Sequence, residues 1–302
     1  MDKPFKIYSD LIDGKALAQF YSAMKLDYVV QGALMPDAHA GYALPIGAVV
    51  ATVGKIVPAW VGYDIGCGMC AIQTTFAKDD VQANAKAIFD QIYRDVPTGF
   101  AHNKHSLLWG LDSNVSYFVR KEIIDSGAPG KQVGTLGGGN HFIEIGYDED
   151  DNVWIVVHSG SRNIGHKIAT HYMKLASGDG KARERHYALD EDSLMGLDYI
   201  KDLHFAQTFT LSNRQEIIRR TAFAIGKVLE HEPGVFVGEL INRNHNHAER
   251  RAMRDSSDVA TGEYVWIHRK GATHAEKGML GVIPGNMRDG SFIVRGKGRS
   301  EE

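Results

Sequence analysis

Cysteine is scarce in this chain of 302 residues, where Cys67 and Cys70 are the only two. A pair of thiols three residues apart excludes a disulfide framework and any zinc site built from four thiolates. An excess of either charge is also missing, with 34 Lys+Arg against 37 Asp+Glu. No broad cationic field is expected, so any nucleic-acid binding has to come from a local patch. Long apolar runs are absent too. The longest weakly polar stretch, residues 41–54, is interrupted by Pro45 and is shorter than the ~20 residues that span a bilayer. The opening MDKPFKIYSD lacks the apolar stretch of a secretory signal, so the reading is a soluble, cytoplasmic protein. With no Pro/Ser-rich linker, low-complexity tract or internal repeat, residues 1–302 read as a single domain. A hydrophobic content of 43% and a charged content of 24% exclude disorder as its main state.

Glycine, by contrast, is plentiful, at 33 residues. It clusters where the backbone would need a positive φ or a close approach to a ligand. The patterning predicts a helix at about Leu17–Lys25 and a strand over Tyr28–Leu34. From Met35 to Phe76, short β-branched runs between Gly and Pro read as strands and tight turns, not helices. Residues 78–95 and 104–125 read as helical, and Asn140–Ile145 and Val153–His158 as strands. A helical block follows over 164–176 and 190–230, where Ile218, Ala222, Ile225 and Leu229 recur at helical spacing. VFVGELIN, EYVWIHRKG, MLGVIP and SFIVRG then return to strand texture. Strands, helices and strands again point to α+β with a glycine-rich β core, not to repeated βαβ units.

Several segments concentrate side chains that do chemistry. In Asp64-Ile65-Gly66-Cys67, a carboxylate and a thiol three apart can bend toward one divalent ion. Two rival readings stay open: a redox pair with Cys70, and plain buried cysteines. The redox pair is the poorer fit, because a strand (AIQTTF) and not a helix follows. GTLGGGNHFIE places three glycines before His141 and Glu144. It is neither a P-loop nor a dinucleotide fingerprint, and a bland turn or an anion-binding nest would each explain its glycines. His158-Ser159-Gly160-Ser161-Arg162 ends an apolar strand, where Arg162 could hold a phosphate bidentately or make an exposed salt bridge. In Asn242-Arg243-Asn244-His245-Asn246-His247, both histidines would share one face if the chain is extended. Arg269-Lys270 beside a glycine turn suits a polyanion, and solvated loop charges explain it equally well. Arg243, Arg250, Arg251 and Arg254, crowded against Glu249 and Asp255, form a modest basic patch. His102, His105, His186, His204 and His231 have no supporting neighbours. One Asp, one Cys and three His at the ends of separate strands suit a borderline divalent ion such as Mn, Zn or Co. Five donors exceed what one open-sited metal takes, so a cysteine-sharing metal pair is expected.

The motifs MPDAHAGYALPIGAV, VGYDIGCGM, GTLGGGNHFIE, VHSGSRNIG, NRNHN, RKGA, IPGNM and SFIVRGKG, in that order over about residues 30–298, resemble the RtcB family of RNA-splicing ligases. The resemblance implies an RtcB-like fold and a GTP-dependent enzyme with two Mn²⁺ per chain. Such an enzyme joins 2′,3′-cyclic-phosphate or 3′-phosphate RNA ends to 5′-hydroxyl ends in RNA repair or tRNA splicing. By resemblance Asp64, Cys67, His141, His158 and His245 are the metal ligands, with Cys67 bridging. Asn140, Glu144, Asn246 and the Pro284–Met287 turn (Pro284, Gly285, Met287) contact the nucleotide, and Arg162 holds an RNA-end phosphate. His247 is thereby demoted as a ligand. RNA is the implied partner, with an archease-type activator as an accessory. The family's guanylylated histidine lies in a Ser-His-Gly-Ala-Gly-Arg motif downstream of the SFIVRG strand, and no such motif occurs in this sequence. The expectation is therefore a chain short of the family's C-terminal segment that keeps a metal site but does not complete ligation. The alternative is a metal-dependent RNA-end phosphoesterase or a non-catalytic RNA-end binder.

Overall fold

The structure, a computed structural model, describes residues 3–107, 114–231, 236–254 and 260–298. Along the chain run β1 (Phe5–Ile7), α1 (Gly14–Met24), β2 (Val29–His39), β3 (Ile46–Thr52), β4 (Lys55–Ile56) and α2 (Pro58–Val61). Then come β5 (Gly68–Thr74), α3 (Lys78–Ala83), α4 (Ala85–Asp95), α5 (Tyr117–Val119), α6 (Ala128–Gln132), β6 (Phe142–Tyr147) and β7 (Val153–Ser159). The rest is α7 (Arg162–Ser177), β8 (Leu189–Asp190), α8 (Leu194–Leu229), β9 (Phe236–Asn244), β10 (Asn246–Arg254), β11 (Ala260–Lys270), β12 (Leu280–Pro284) and β13 (Ser291–Arg295). The fold is α+β, built on a five-stranded sheet in the order β1-β2-β3-β11-β10 and an antiparallel four-stranded sheet in the order β6-β7-β5-β9.

Helix α8 joins the two cores. Ser193 caps its start, the hydroxyl accepting from Gly196 N at 3.0 Å. Tyr199, Leu203, Phe205, Ala206 and Phe209 on its first half are buried in the core of the larger sheet. Ile217, Ile218, Ala222 and Ile225 on its second half are buried against Cys70, Ile72 and Ile155 of the smaller one. Leu229, the last of the stripe read in the sequence, is only partly buried.

Three sequence expectations need correction. Pro58–Val61, read as strand, is a buried helical turn. Proline at its first position suits a helix start, and Trp60 is wedged edge-on against His268 at 5.2 Å. A four-residue apolar turn, buried on every side, has no amphipathic period to betray it. The 78–95 helix is broken at Asn84, whose side-chain amide donates to the Asp80 carbonyl at 2.9 Å and separates α3 from α4. Of 104–125, only Tyr117–Ile124 is helical, Arg120–Ile124 as a π turn, and 108–113 lie outside the described residues. Asn103 N and Leu107 N bond instead to the Lys131 and Gly130 carbonyls at 2.9 Å, which keeps that stretch out of a helix. Among the described residues no helix is long and apolar enough to cross a membrane.

Register decides what meets what. Gly68 opposes Ser159 on one side and Asn244 on the other, and Phe142 opposes His158. The start of β5, the end of β7, the start of β6 and the end of β9 therefore share one edge of the small sheet. The Asp64–Cys67 turn, His141, His158 and His245 all lie at that edge.

Candidate metal centre

Two groups of donors converge at this edge, each with its ligand atoms within 4.8 Å of one another: Asp64, Cys67 and His141, and Cys67, His158 and His245. Cys67 belongs to both. Its Sγ lies 3.2 Å from His158 Nε2 and 3.5 Å from His141 Nε2. His141 Nε2 is 2.9 Å from Asp64 Oδ2, and His158 Nε2 is 3.2 Å from His245 Nε2.

The ring nitrogens turned away from the centre fix the chemistry of those turned toward it. His141 Nδ1 lies 2.9 Å from the Leu136 carbonyl and His158 Nδ1 2.9 Å from the Asn140 carbonyl. A carbonyl only accepts, so each Nδ1 is assigned the proton and each Nε2 a lone pair directed inward. A lone pair on His141 then faces a carboxylate, and one on His158 faces a thiol and a second imidazole. A cation between such groups would satisfy all the inward donors at once, and a borderline divalent cation fits the O, S and N donor set. Burial, followed by His158 and the Arg214 guanidinium, pushes His245 down to about 3, so it stays neutral and able to ligate. Burial likewise lowers His158. Burial alone would raise the Asp64 carboxyl, yet the polar groups packed around it hold it down at about 2, ionised and able to ligate. Burial and then the Asp64 charge push the Cys67 thiol well above its ordinary range, so its thiolate needs a cation beside it.

Close packing braces the donors. Ser161 N donates to Asp64 Oδ1 at 3.1 Å, and any Cβ on Gly160 would collide with that carboxylate. Arg214, fully buried on α8, donates to the Gly66 carbonyl at 2.9 Å, the Ser159 carbonyl at 3.0 Å and Asn244 Oδ1 at 2.6 Å. It thereby ties the three strand ends together. Arg162 has φ +58°, a strained value for a residue with a side chain and of the kind that gathers at functional sites. Its Nε donates to Thr135 Oγ1 at 2.9 Å and its Nη2 to the Gly99 carbonyl at 2.5 Å. Nη1 lies against Gly137 (φ +97°), where a Cβ would strike both this nitrogen and His141 Nδ1.

The nucleotide residues expected by resemblance are placed differently from one another. Both Glu144 oxygens are taken by Ser291, from N at 3.0 Å and from Oγ at 2.8 Å, which fastens the β12–β13 hairpin to β6. Asn246 Oδ1 accepts from Gly271 N at 2.8 Å. The Asn140 carbonyl supports His158. Pro284 and Gly285 lead into the hairpin loop, where Met287 is fully exposed.

Sequence reasoning missed Lys270, Arg214 and the fate of His247. Lys270 is a buried cation: its Nζ donates to the Val61 carbonyl at 3.0 Å, and burial lowers its ammonium against the opposing pull of Asp64 and Cys67. His247 does not share a face with His245, because the chain turns between β9 and β10. It faces a third group, with Glu249 and His274. There the carboxylate already accepts from Arg269 Nη1, from Arg251 Nε at 2.8 Å and from His274 Nε2 at 2.7 Å. Arg269, read as a solvated or polyanion-binding charge, is mostly buried in this cluster. Arg250 lies over the Tyr264 ring at 4.5 Å, while Asp255 and the Arg254 side chain fall outside the described residues. His186 is not an isolated surface histidine either, since its Nδ1 accepts from the Trp60 indole at 3.0 Å.

A family model described as tRNA-splicing ligase RtcB matches residues 19–126 and 116–302. The RNA-splicing ligase RtcB of Escherichia coli K12 is 33% identical over 317 residues, covering 96% of this chain and 76% of that protein. The tRNA-splicing ligase RtcB of Pyrobaculum aerophilum is 28% identical over 375 residues, covering 97% and 76%. That of Nanoarchaeum equitans is 27% identical over 376 residues, covering 100% and 78%.

Proposed function

The chain belongs to the RtcB family, and from that premise we propose that it is an RNA ligase of RtcB type, acting on broken RNA or tRNA halves with Mn²⁺ and GTP. The observation that carries the reading is one thiol, Cys67, common to two donor groups at the edge of the small sheet. Asp64, Cys67 and His141 would hold one divalent ion, and Cys67, His158 and His245 a second. When bound, the pair neutralises phosphate charge and aligns attacking and leaving oxygens. The remaining work falls to the chain's own side chains. Arg162, clamped by Thr135 and Gly99, holds the terminal phosphate of the RNA 3′ end, cyclic or open. Lys270 adds a fixed positive charge beside Asp64 and Cys67. Asn140, Glu144, Asn246 and the Pro284–Met287 turn contact the guanine nucleotide once Glu144 exchanges its Ser291 partner. An archease-type activator is proposed on family grounds alone.

The guanylyl carrier is assigned to no residue, because the Ser-His-Gly-Ala-Gly-Arg motif does not occur in the sequence. A second reading, a phosphoesterase or an RNA-end binder, needs only the same two donor groups that share Cys67. One experiment separates them. The protein is incubated with Mn²⁺, labelled GTP and RNA bearing 3′-phosphate and 5′-hydroxyl ends. Joined RNA, or an acid-labile guanylate on the chain, supports ligation. Release of inorganic phosphate without joined product supports the phosphoesterase. Fewer than two metal ions per chain by mass spectrometry removes the basis of both.

A further inference from the structure

Away from the metal centre, an apolar groove of about 470 Å³ opens between helices α3–α4 and β6, the outer strand of the small sheet. Its floor is Val81, Ile88, Ile92, Leu136, Ile143 and Ile145. Ile88 joins the core shared with α8, while Ile143 and Ile145, on the same face of β6, remain only partly covered. Phe89 and Tyr93 stand one helical turn apart at its edge, 63% and 66% exposed, with rings stacked at 6.3 Å. Tyr147, also exposed, closes the far end beneath Lys78 Nζ at 4.0 Å.

Lys78 is the one charged side chain lining the groove among the described residues, but the chain segments flanking its Tyr147 end are acidic. Residues 78–95 and 147–152 carry eight acidic side chains against three basic ones, a larger acidic excess than the net −3 of the whole chain. Two of the three bases are already paired, Lys78 with Asp151 and Lys86 with Asp90. Asp79, Asp80, Glu149 and Asp150 are exposed. A polyanion such as RNA is repelled from such a rim, whatever its bases could stack on.

We propose that this groove docks an amphipathic helix of a partner protein, with its apolar ridge on the Ile143–Ile145 floor and its Lys/Arg residues toward the acidic segments that flank the Tyr147 end. Large apolar anchors at i, i+3, i+4 and i+7 match a trough of this kind, with Phe89 and Tyr93 spaced one turn apart along one wall. Charge complementarity sets the sign of the flanking residues and the orientation. The proposal is independent of the chemistry at the metal centre.

Fluorescence anisotropy with labelled helical peptides of about 18 residues tests it, one Leu/Lys amphipath and its Leu/Glu counterpart. The Leu/Lys peptide should bind the wild-type chain at least about tenfold more tightly than the Leu/Glu peptide. Binding should fall by about tenfold or more in Phe89→Ala/Tyr93→Ala and in Ala85→Arg, which fills the trough from an exposed position. Amide-exchange protection should map to residues 78–95 and 142–147. Equal binding of the two peptides, or unchanged binding by either folded variant, overturns the proposal. So does a self-association seen by ultracentrifugation and lost in the variants, which makes a second copy the occupant. Retention of labelled oligouridylate that the variants abolish overturns it in favour of RNA.

Discussion

His245 and His247 are two residues apart, yet they enter clusters with opposite electrostatic outcomes. On the His245 side, Asp64, Cys67 and three imidazoles direct their donors at one another, and among the described residues no guanidinium lies within hydrogen-bond reach of the Asp64 carboxylate. On the His247 side two imidazoles again meet a carboxylate, Glu249, but no thiol joins them, and Arg269 and Arg251 already hold that carboxylate. Burial alone would raise Glu249; His274, Arg269 and Arg251 together depress it far below the ordinary carboxylate range. A carboxylate already hydrogen-bonded by guanidinium groups has little charge left to offer a metal ion. What separates the two clusters is therefore the thiol and the cations that touch the carboxylate, not the pairing of histidine with acid.

The sharpest way to break the comparison is Cys67→Ala. Removing the donor common to both groups should cost metal affinity by more than the ~100-fold typical of losing an outer supporting partner, read as ions per chain. If both ions stay bound, the thiol is no bridge. The converse change is Arg269→Gln. It should cost about 3 kcal/mol in denaturant unfolding, the range for breaking a buried pair, and should let the His247 cluster take up Zn²⁺. Because the folded Glu249 is depressed below the ordinary glutamate value of 4.5, the wild-type advantage is complete above that pH. It fades as pH falls through the depressed value. A variant that unfolds equally at every pH, or that binds no third ion, would count against the built-in cation.

A smaller effect should follow Gly137→Ala, which places a Cβ against Arg162 and His141 at φ +97°. A stability loss of about 1–3 kcal/mol is expected, with RNA-end affinity reduced and metal affinity weakened through the displaced His141. Unaltered RNA binding would detach Arg162 from the phosphate. The smallest is Ser291→Ala, which removes one of the two bonds to Glu144. About 1 kcal/mol should be lost, confined to faster amide exchange in β12 and β13.

Much of the centre was legible because its donors are punctuated by glycine and sit at strand ends. Asp64, Cys67, His141 and His158 could be picked out that way, and His245 only as one of a strand-end pair with His247. Arg214 carried no such mark: it lies mid-helix in NRQEIIRR, where a basic residue reads as solvent-facing. Lys270 and Arg269 beside a glycine turn read as loop charges, and only the packing of β11 on β3 and β10 buries them. The Pro58–Val61 turn escaped because an all-buried segment has no polar face from which to read a period.

The sequence by itself determined the family and the α+β class, since those rest on local pattern and residue type, and it nominated the donors. Tertiary structure decided the rest: which imidazole faces which, that Cys67 is held in common, and that the His247 cluster is already neutralised. Those outcomes depend on strand register and on charges up to some 150 residues away, such as Arg214 on the Gly66 carbonyl. Coulomb interactions and hydrogen bonds act through space over a few ångströms, so separation along the chain carries no trace of them until the sheets have closed.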